Sequence, residues 1–395
     1  MPTNRPKLKK TKLFVEAVPL VDRQISGVPH ALAGLVAALA ANKDVTDKYE
    51  IVLVAPKNRM HLLDRWKGLE SCTRKAIPMK FRVMNGLGRR GLLPPMDLLL
   101  GPGVYLFGNF FNWPLTKRSK SLTYIHDICF AVHPEFVQPD NQKSLAKNVP
   151  RYIRQTDYII TVSKSARQEI IDNFKVKPEQ VLVVYNGVNT EIYKPYPTKE
   201  VVKVREKYHL KDQPYLLYIG NIEPRKNLER MVKAVKQLPK DHAMIMVGSD
   251  GWLNEGVFAA IDDANKAGHK VIKPRTYVPD EDVVRLISGA TALVLPALYE
   301  GFGMPPLEAM ASKTPVVVSD IPPLHEVANG AGIYCDPHKI DSIAAAMKEA
   351  IEMDPTKRQK LIDKGYKHAM GFTWERSTES IAKTLLDLRS EVSNK

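Results

Sequence analysis

The sequence predicts an α/β protein built from two doubly wound, Rossmann-like domains that face each other across a cleft. Short apolar runs alternate with helical segments, a pattern typical of parallel sheets covered by helices. The alternation restarts after a polar, proline-containing stretch, and 395 residues suit two domains better than one. We therefore predict a domain at 1–195, a second domain at 196–372, and a C-terminal helix within 373–395 that packs back on the first domain.

In the N-terminal half, apolar runs predict strands and amphipathic segments predict helices. The predicted strands are KLFVEAV (12–18), YEIVLVAP (49–56), VYLFGN (104–109), SLTYIHD (121–127), DYIITVS (157–163) and VLVVYNGV (181–188). The predicted helices are SGVPHALAGLVAALAAN (26–42) and SKSARQEIIDNF (163–174). Ser163 is the expected N-cap of the second helix, because a serine side chain accepts a hydrogen bond from the first-turn amides.

The C-terminal half repeats this architecture. Its predicted strands are PYLLYIG (214–220), HAMIMVG (242–248), KVIKPRTYV (270–278), TALVLPA (291–297), TPVVVSD (314–320) and GIYCDP (332–337). The segment at 372–392 predicts an amphipathic helix that begins near Thr373. Ligands of open α/β sheets bind outside the carboxyl ends of the strands, so chemistry is expected in the loops that follow these strands.

Composition indicates a cytoplasmic location. The three cysteines, Cys72, Cys129 and Cys335, are far apart and fit neither a disulfide framework nor a zinc site. The most apolar run, at 31–40, is too short to span a membrane, and the N-terminus lacks the apolar core of a signal peptide.

The formal net charge of +15 is concentrated in the N-terminal half. Residues 1–12 carry five Lys/Arg and no acid, and residues 57–90 carry ten Lys/Arg against Asp64 and Glu70. Such a surface favours an anionic partner: acidic lipid at the inner face of a membrane, nucleic acid or a phosphorylated acceptor. A surface that only promotes solubility is the competing interpretation.

Two glutamates flank a kinked glycine loop in YEGFGMPPLEAM (299–310). Glu300 follows a predicted buried strand, and Glu308 is expected in or near the first turn of the next helix, where prolines are tolerated. Glycines let the backbone approach a ligand closely, and a helix N-terminus suits an anion such as phosphate. Carboxylates are better matched to hydroxyl groups. The loop therefore predicts a ligand that carries both phosphate and hydroxyls.

A second informative stretch is NIEPRKNL (221–228), which follows the strand at 214–220. Arg225 and Lys226 are expected at the carboxyl end of this strand, near the start of a helix. An arginine fork beside a lysine point charge suits a diphosphate.

Together these stretches resemble the donor domain of the retaining family 4 glycosyltransferases with the GT-B fold, whose signature is E-x7-E. The segments at 123–136, 161–170 and 185–193 resemble the matching acceptor-domain and hinge segments, so the similarity extends from about residue 12 to 390. The subgroup most closely resembled contains bacterial mannosyl-, glucosyl- and rhamnosyltransferases of surface polysaccharide assembly.

The resemblance implies a role for each matching position. Catalytic roles fall on His126, Arg225, Lys226 and Glu300. Arg225 and Lys226 would neutralise the leaving diphosphate, and His126 and Glu300 would face the transferred sugar. Donor-binding roles fall on Gly27, Val278, Phe302, Gly303, Met304 and Glu308. Among these, Glu308 would hold the ribose, Val278 would lie at the base, and the amides of 302–304 would touch the diphosphate. Ser26–Gly27 stands where many relatives have a Gly–Gly pair, and it keeps the close approach of the backbone.

The resemblance implies no metal and no other cofactor, since cations and helix amides supply the positive field. The expected partners are a nucleotide-sugar, a glycan or polyprenyl-diphosphate-linked acceptor and an anionic membrane surface, with no nucleic acid. Three other functions remain as alternatives at this stage: a nucleotide-sugar epimerase, a glycoside hydrolase that uses two carboxylates, and a basic nucleic-acid-binding protein.

Overall fold

The computed structural model describes residues 10–22, 27–77 and 81–393, and within them the chain separates into two compact units. The first unit combines the described part of 1–187 with the helix from Trp374, and the second is continuous from Val188 to Thr373. The boundary predicted after residue 195 therefore lies inside the second unit. The reason is local: the amide of Val188 donates to the carbonyl of Phe372 at 2.9 Å, which anchors this segment in the second unit.

The first unit contains a parallel sheet of seven strands among the described residues. The strands are β1 (Thr11–Glu16), β2 (Tyr49–Pro56), β3 (Thr73–Ile77), β4 (Val104–Phe107), β5 (Lys120–Tyr124), β6 (Tyr158–Thr161) and β7 (Val181–Val183). The helices are α1 (Gly27–Ala41), α2 (Lys43–Thr46), α3 (Phe81–Arg89), α4 (Asp97–Leu100), α5 (Cys129–Val132), α6 (Pro139–Gln155) and α7 (Lys164–Phe174). The strand order is β3–β2–β1–β4–β5–β6–β7.

The second unit contains a six-stranded parallel sheet. Its strands are β8 (Tyr215–Ile219), β9 (Ala243–Val247), β10 (Lys270–Ile272), β11 (Ala292–Leu295), β12 (Val316–Ser319) and β13 (Ile333–Cys335). Its helices are α8 (Thr198–Lys207), α9 (Leu228–Val235), α10 (Glu255–Lys266), α11 (Asp280–Gly289), α12 (Met304–Ala311), α13 (Pro322–Ala328), α14 (Ile340–Glu352) and α15 (Pro355–Ala369). The order β10–β9–β8–β11–β12–β13 places β8 and β11 side by side at the point where the order reverses.

The C-terminal helix α16 (Trp374–Ser393) belongs to the first unit. The Trp374 indole fills a notch beside α1, where a Cβ added to Gly34 would lie 2.2 Å from the ring. Further along the helix, the Tyr49 hydroxyl donates to the carbonyl of Leu385, and Lys120 pairs with Glu391 at 2.6 Å. The partly buried Trp374 ring and these polar contacts hold α16 on the first unit.

The sequence predicts the fold class correctly but misplaces some strands. The run predicted at 270–278 is a strand only to Ile272, since Pro274 removes a ladder donor. The edge strand β3 was not predicted, because its sequence TRKAI exposes most of its side chains and lacks an apolar run. Among the described residues, no helix is both long and apolar enough to cross a membrane.

Candidate active site

The turn that carries Arg225 and Lys226 is fastened to the carboxyl edge of the second sheet. Pro224–Lys226 forms a 3-10 turn after β8, and Asn227 follows in the left-handed region with φ 61°. The Asn227 side-chain amide donates to the carbonyls of Pro296 at 2.9 Å and Pro337 at 2.7 Å, which lie just after strands β11 and β13. This amide therefore fixes the basic turn relative to the strand ends.

Glu300 lies between the two predicted cations. Arg225 Nη1 donates to Glu300 Oε2 at 3.1 Å, and Lys226 Nζ donates to Glu300 Oε1. Arg225 Nε pairs in turn with Glu223 at 2.8 Å. Lys226 and Glu300 are each only 7% exposed. Two cations and two carboxylates thus form a buried cluster whose formal charges balance.

Burial and the neighbouring charges both act on the pKa values of Glu300 and Lys226. Burial acts to raise the pKa of Glu300, but the charges of Lys226 and Arg225 outweigh it and hold the pKa below its ordinary value. Burial, together with the neighbouring Arg225 charge, lowers the pKa of Lys226 despite its bond to Glu300. Glu300 is therefore firmly ionised, whereas the charged form of Lys226 is stabilised mainly by Glu300.

The glycine loop ends at the N-terminus of α12. Gly303 is the N-cap with φ 113°, and a Cβ added there would lie 2.6 Å from Leu324 Cδ2, so both backbone and packing require glycine. No side chain caps this helix, which leaves the Met304 amide and the positive helix end for an anion. The Phe302 ring is buried against Phe372, 5.9 Å between centroids, so only its backbone can serve a ligand.

Glu308 is the fifth residue of α12, which begins at Met304, so it lies just past the first turn of the helix. The Tyr193 hydroxyl lies close enough to the Glu308 carboxyl to act on its pKa. Burial raises the pKa of Glu308 to about 7; the Tyr193 bond opposes this shift, and the Asp280 charge adds to it. A carboxyl that titrates near neutral pH and carries a hydroxyl partner is suited to binding further hydroxyl groups.

Val278 is buried in the segment that leads into α11. The adjacent Tyr277 is 76% exposed, and its hydroxyl donates to Asp280 Oδ1 at 3.0 Å. The Asp280 charge raises the pKa values of both Glu308 and Tyr193. The segment 277–280 therefore lies near the Glu308 carboxylate.

His126 and Gly27 belong to the first unit. The His126 ring packs 4.2 Å from that of Tyr124, and its Nε2 lies 3.4 Å from the carbonyl of Gly108. Burial lowers the pKa of His126 to about 4, so the imidazole is neutral at pH 7. Gly27 begins α1, and a Cβ there would meet nothing within 4 Å; its neighbour Ser26 lies outside the described residues.

A buried carboxyl lies near the His126 loop. Glu16, the last residue of β1, accepts a hydrogen bond from the Val18 amide at 3.1 Å. Burial raises the pKa of Glu16 to about 8, and the Gly108 amide opposes that shift. Glu16 therefore lies near the backbone whose carbonyl faces His126. Over the described ranges 10–22, 27–77 and 81–393, no group of three or more His, Cys, Asp or Glu side chains is arranged to hold a metal ion.

Comparison with known proteins agrees with this geometry. Residues 26–192 match the model of "Glycosyltransferase Family 4", and residues 202–368 match "Glycosyl transferases group 1". The chain is 33% identical over 272 residues to O-antigen chain mannosyltransferase B of Escherichia coli, which covers 68% of this chain and 70% of the relative. The chain is a family 4 glycosyltransferase.

This glycosyltransferase is also 30% identical over 233 residues to the O-antigen chain mannosyltransferase RfbU of Salmonella typhimurium, which covers 58% of the chain and 60% of that protein. Its structure is similar to that of HepE from Anabaena in complex with UDP and glucose, with a TM-score of 0.71 and 17% identity. That match covers 95% of this chain and 100% of HepE. The fold is therefore GT-B, as the resemblance implies.

The structure adds three residues of the glycosyltransferase that the sequence did not single out. Glu223 pairs with Arg225, and Asn227 anchors the turn that carries the Arg–Lys pair. Their positions next to that pair in the sequence could have indicated this role. Tyr193 contacts Glu308 from a distant part of the chain. Nothing local in the sequence around Tyr193 indicates that contact.

Proposed function

We propose that this glycosyltransferase transfers a hexose, in the first instance mannose from GDP-mannose, from a nucleotide-sugar to a glycan or polyprenyl-diphosphate-linked acceptor, with retention of configuration. The observation that carries the proposal is the buried cluster of Arg225, Lys226 and Glu300 beside the uncapped start of α12. The names of the two O-antigen mannosyltransferases support mannose and polysaccharide assembly.

The donor would lie along the carboxyl edge of the second sheet. Arg225 and Lys226 would meet its diphosphate together with the amides of Phe302, Gly303 and Met304. An ammonium has three donors, and the one bond from Lys226 to Glu300 leaves it able to serve a phosphate oxygen as well. Glu300 would hold hydroxyls of the sugar, Glu308 those of the ribose, and Val278 would adjoin the base.

The reaction step needs only charge stabilisation and positioning. The bond between the sugar C1 and the diphosphate oxygen breaks, and the acceptor hydroxyl oxygen bonds to C1 from the same face. Its proton passes to the departing phosphate oxygen, so atoms and charge balance. Positive groups already held in place, Arg225 and Lys226, stabilise the charge that develops on the diphosphate. His126, neutral at pH 7, would serve the sugar as a hydrogen-bonding group. We propose that no metal is required.

The test is a product assay on the intact protein with GDP-mannose and competing nucleotide-sugars. We expect a new α-linked glycoside on a polysaccharide-fragment or polyprenyl-diphosphate-linked acceptor, with a rate that EDTA leaves unchanged. A rate that EDTA abolishes and magnesium or manganese restores contradicts the metal-free mechanism. Release of an isomerised donor without transfer indicates the epimerase alternative, and hydrolysis of a glycoside indicates the hydrolase.

We further propose that the enzyme contacts an anionic membrane surface through its first unit. Leu63 and Leu69, in the basic segment 57–90, cannot contribute to this contact, because both are fully buried. Arg65 is also committed: it donates to the carbonyls of Leu20 and Asp22 at 2.7 and 2.5 Å. Of the basic segment 1–12, residues 1–9 lie outside the described residues.

The region from α3 to α4 fits a membrane better. Leu92, Leu98 and Leu99 are 64%, 68% and 56% exposed, although their neighbours Leu93 and Leu100 pack into the core. Residues 75–120 carry eight Lys/Arg and one acid, Asp97. Asp97 is buried and accepts hydrogen bonds from Thr116 and Ser119. Exposed leucines within an acid-poor basic surface suit an anionic bilayer.

Co-sedimentation with anionic and neutral vesicles tests this contact. We expect binding to the anionic vesicles only, weakened by high salt because surface charges are screened. Replacing Leu98 and Leu99 by serine should reduce binding, whereas Leu253→Ser, at a leucine of similar exposure in the second unit, should not. Full binding by the Leu98/Leu99 variant would place the contact elsewhere.

A further inference from the structure

The basic turn at Pro224–Lys226 is followed by a buried residue whose backbone and side chain both have a fixed role. Asn227 lies in the left-handed region with φ 61°, which glycine, asparagine and aspartate adopt most readily. Its Nδ2 atom donates to the carbonyls of Pro296 and Pro337 at 2.9 and 2.7 Å. Its Oδ1 atom accepts from Arg230 Nη1 at 2.9 Å.

Among these three residue types, asparagine alone satisfies the position. Glycine suits the backbone but offers no side chain to bind the two carbonyls. An ionised aspartate can only accept hydrogen bonds, so it would face the same carbonyls with no proton to donate. Because a guanidinium only donates and a carbonyl only accepts, the partners of Asn227 also determine which end of its amide is the nitrogen.

The bonds of Asn227 fix the basic turn relative to Glu300. Pro296 directly follows β11 and lies four residues before Glu300 in the chain. Between them, the Leu298 amide donates to the carbonyl of Arg225 at 2.8 Å. Side-chain and backbone bonds therefore tie the turn to the same strand extension that carries Glu300.

The other end of the turn is held by the glycine loop that follows β9. The Ile222 amide donates to the carbonyl of Ser249 at 3.0 Å, and the Gly251 amide donates to the carbonyl of Ile222 at 3.1 Å. A Cβ added to Gly251 would lie 2.3 Å from that carbonyl oxygen, so the two backbones are in close contact. With the turn held at both ends, the loss of one anchor displaces the two cations between them.

We propose that Asn227 is a positioning residue for the leaving diphosphate: its side-chain amide holds the basic turn where Arg225 and Lys226 both meet the terminal phosphate of the nucleotide. This inference rests on the proposed function, which assigns the two cations to the diphosphate. Donors that are already in place stabilise a phosphate better than donors that must first be ordered, so the anchor contributes to binding without touching the ligand.

The experiment compares a nucleotide that carries the terminal phosphate with one that lacks it. Calorimetry measures the affinities of GDP and GMP, or of UDP and UMP, for the wild-type protein and for Asn227→Gly, which keeps the backbone conformation and removes the side-chain bonds. We expect the wild-type protein to prefer the diphosphate, and Asn227→Gly to reduce this preference about tenfold, the scale of one hydrogen bond to a charged group. Affinity for the monophosphate should not change, which a merely structural role would not produce.

A milder variant covers the case in which Asn227→Gly fails to fold. Arg230→Met removes the donor that orients the amide, at a residue that is only partly buried. It should reduce the diphosphate preference about threefold, toward the lower end of the range for one hydrogen bond. If Asn227→Gly binds neither nucleotide, an unchanged preference in Arg230→Met contradicts the role of Asn227.

Two further variants separate the remaining failures. Asn329 also lies in the left-handed region, with φ 44°, at the end of α13, so Asn329→Gly is the matched control and should keep the wild-type preference. Lys226→Met should reduce the preference at least as much as Asn227→Gly. If Lys226→Met reduces it and Asn227→Gly does not, or if Asn227→Gly weakens both nucleotides equally, Asn227 has no positioning role and the proposed function stands. If Lys226→Met keeps the wild-type preference, or neither nucleotide pair binds the wild-type protein, the proposed donor site itself is wrong.

Discussion

The carboxyl of Glu308 changes its charge close to neutral pH. Burial raises its pKa to about 7, against the opposing bond from Tyr193 and with a contribution from Asp280. A ribose hydroxyl bound as proposed would donate to the ionised form and stabilise it. Nucleotide binding and proton binding at Glu308 would therefore be linked, and each would oppose the other.

We predict that lowering the pH from 7 to 6 weakens GDP binding to the wild-type protein about fivefold more than to Glu308→Gln. The factor follows from the fall in the ionised fraction of a group that titrates at about pH 7. Calorimetry at both pH values measures it, and the variant controls for titration of the phosphates. An identical pH dependence in the two proteins would assign the effect to the nucleotide alone.

At Lys226, charge and packing make separable contributions. Lys226→Met should lower turnover by roughly 100-fold or more, because the leaving diphosphate loses a cation. It should also lower the free energy of unfolding by about 3–5 kcal/mol, because Glu300 loses a buried partner. Initial rates and thermal unfolding measure the two effects.

The double variant Lys226→Met/Glu300→Gln distinguishes these effects. It should recover much of the lost stability, since the buried carboxylate that lost Lys226 and kept only Arg225 is now neutral, while turnover stays low. Recovery of turnover together with stability would mean that Lys226 supports the fold and not the reaction.

Sequence reasoning at the residue scale placed Arg225, Lys226 and Glu300 at one sheet edge, because strand ends and turn residues are local signals. It did not reveal that Glu300 pairs with both cations, since that pairing depends on the adjacency of β8 and β11. Tyr193 was missed for the same reason: its partner is set by tertiary packing and not by spacing.

At the scale of elements, the packing of α16 against the first unit depends on two glycines that lie against Trp374. A Cβ added to Gly34 would lie 2.2 Å from the Trp374 ring, and one added to Gly187 would lie 2.5 Å from the Trp374 backbone nitrogen. A ring fixed in a close-packed notch cannot yield by more than a fraction of an ångström. The sequence predicted the helix from its amphipathic pattern, but neither glycine carries a local signal of this contact.

We predict that Gly34→Ala destabilises the first unit by about 1–3 kcal/mol, the usual cost of overpacking a core. This outweighs the gain of up to about 1 kcal/mol that alanine brings to a helix interior. Thermal unfolding of Gly34→Ala alone and combined with Trp374→Leu measures it. The smaller leucine side chain at position 374 should remove most of the destabilisation that Gly34→Ala causes. A stabilised single variant would show that Trp374 does not fill the notch in solution.

At the scale of the whole molecule, the proposed functions divide between the two units. The residues assigned to diphosphate, base and ribose lie between Val188 and Thr373, whereas His126 and Gly27 lie in the other unit. The second unit is one continuous segment, and the first needs α16 from the far end of the chain to complete its packing. The sequence predicted two domains but put their boundary after residue 195, because polar, proline-containing residues resemble a linker even where they pack.

This division leads to a prediction about the isolated segment 188–373. It contains a complete six-stranded sheet and the helices that cover it, so we expect it to fold. It should bind GDP within about tenfold of the intact enzyme, since every group proposed to contact the nucleotide except Gly27 is present, and one lost hydrogen bond to a charged group is worth about that factor. It should transfer no sugar, because His126 and the acceptor-binding unit are absent. Calorimetry and the product assay measure the two properties.

The matched variant 188–373 with Glu308→Gln should bind GDP more weakly. A folded segment that fails to bind while the intact enzyme binds would mean that the first unit supplies an essential nucleotide contact.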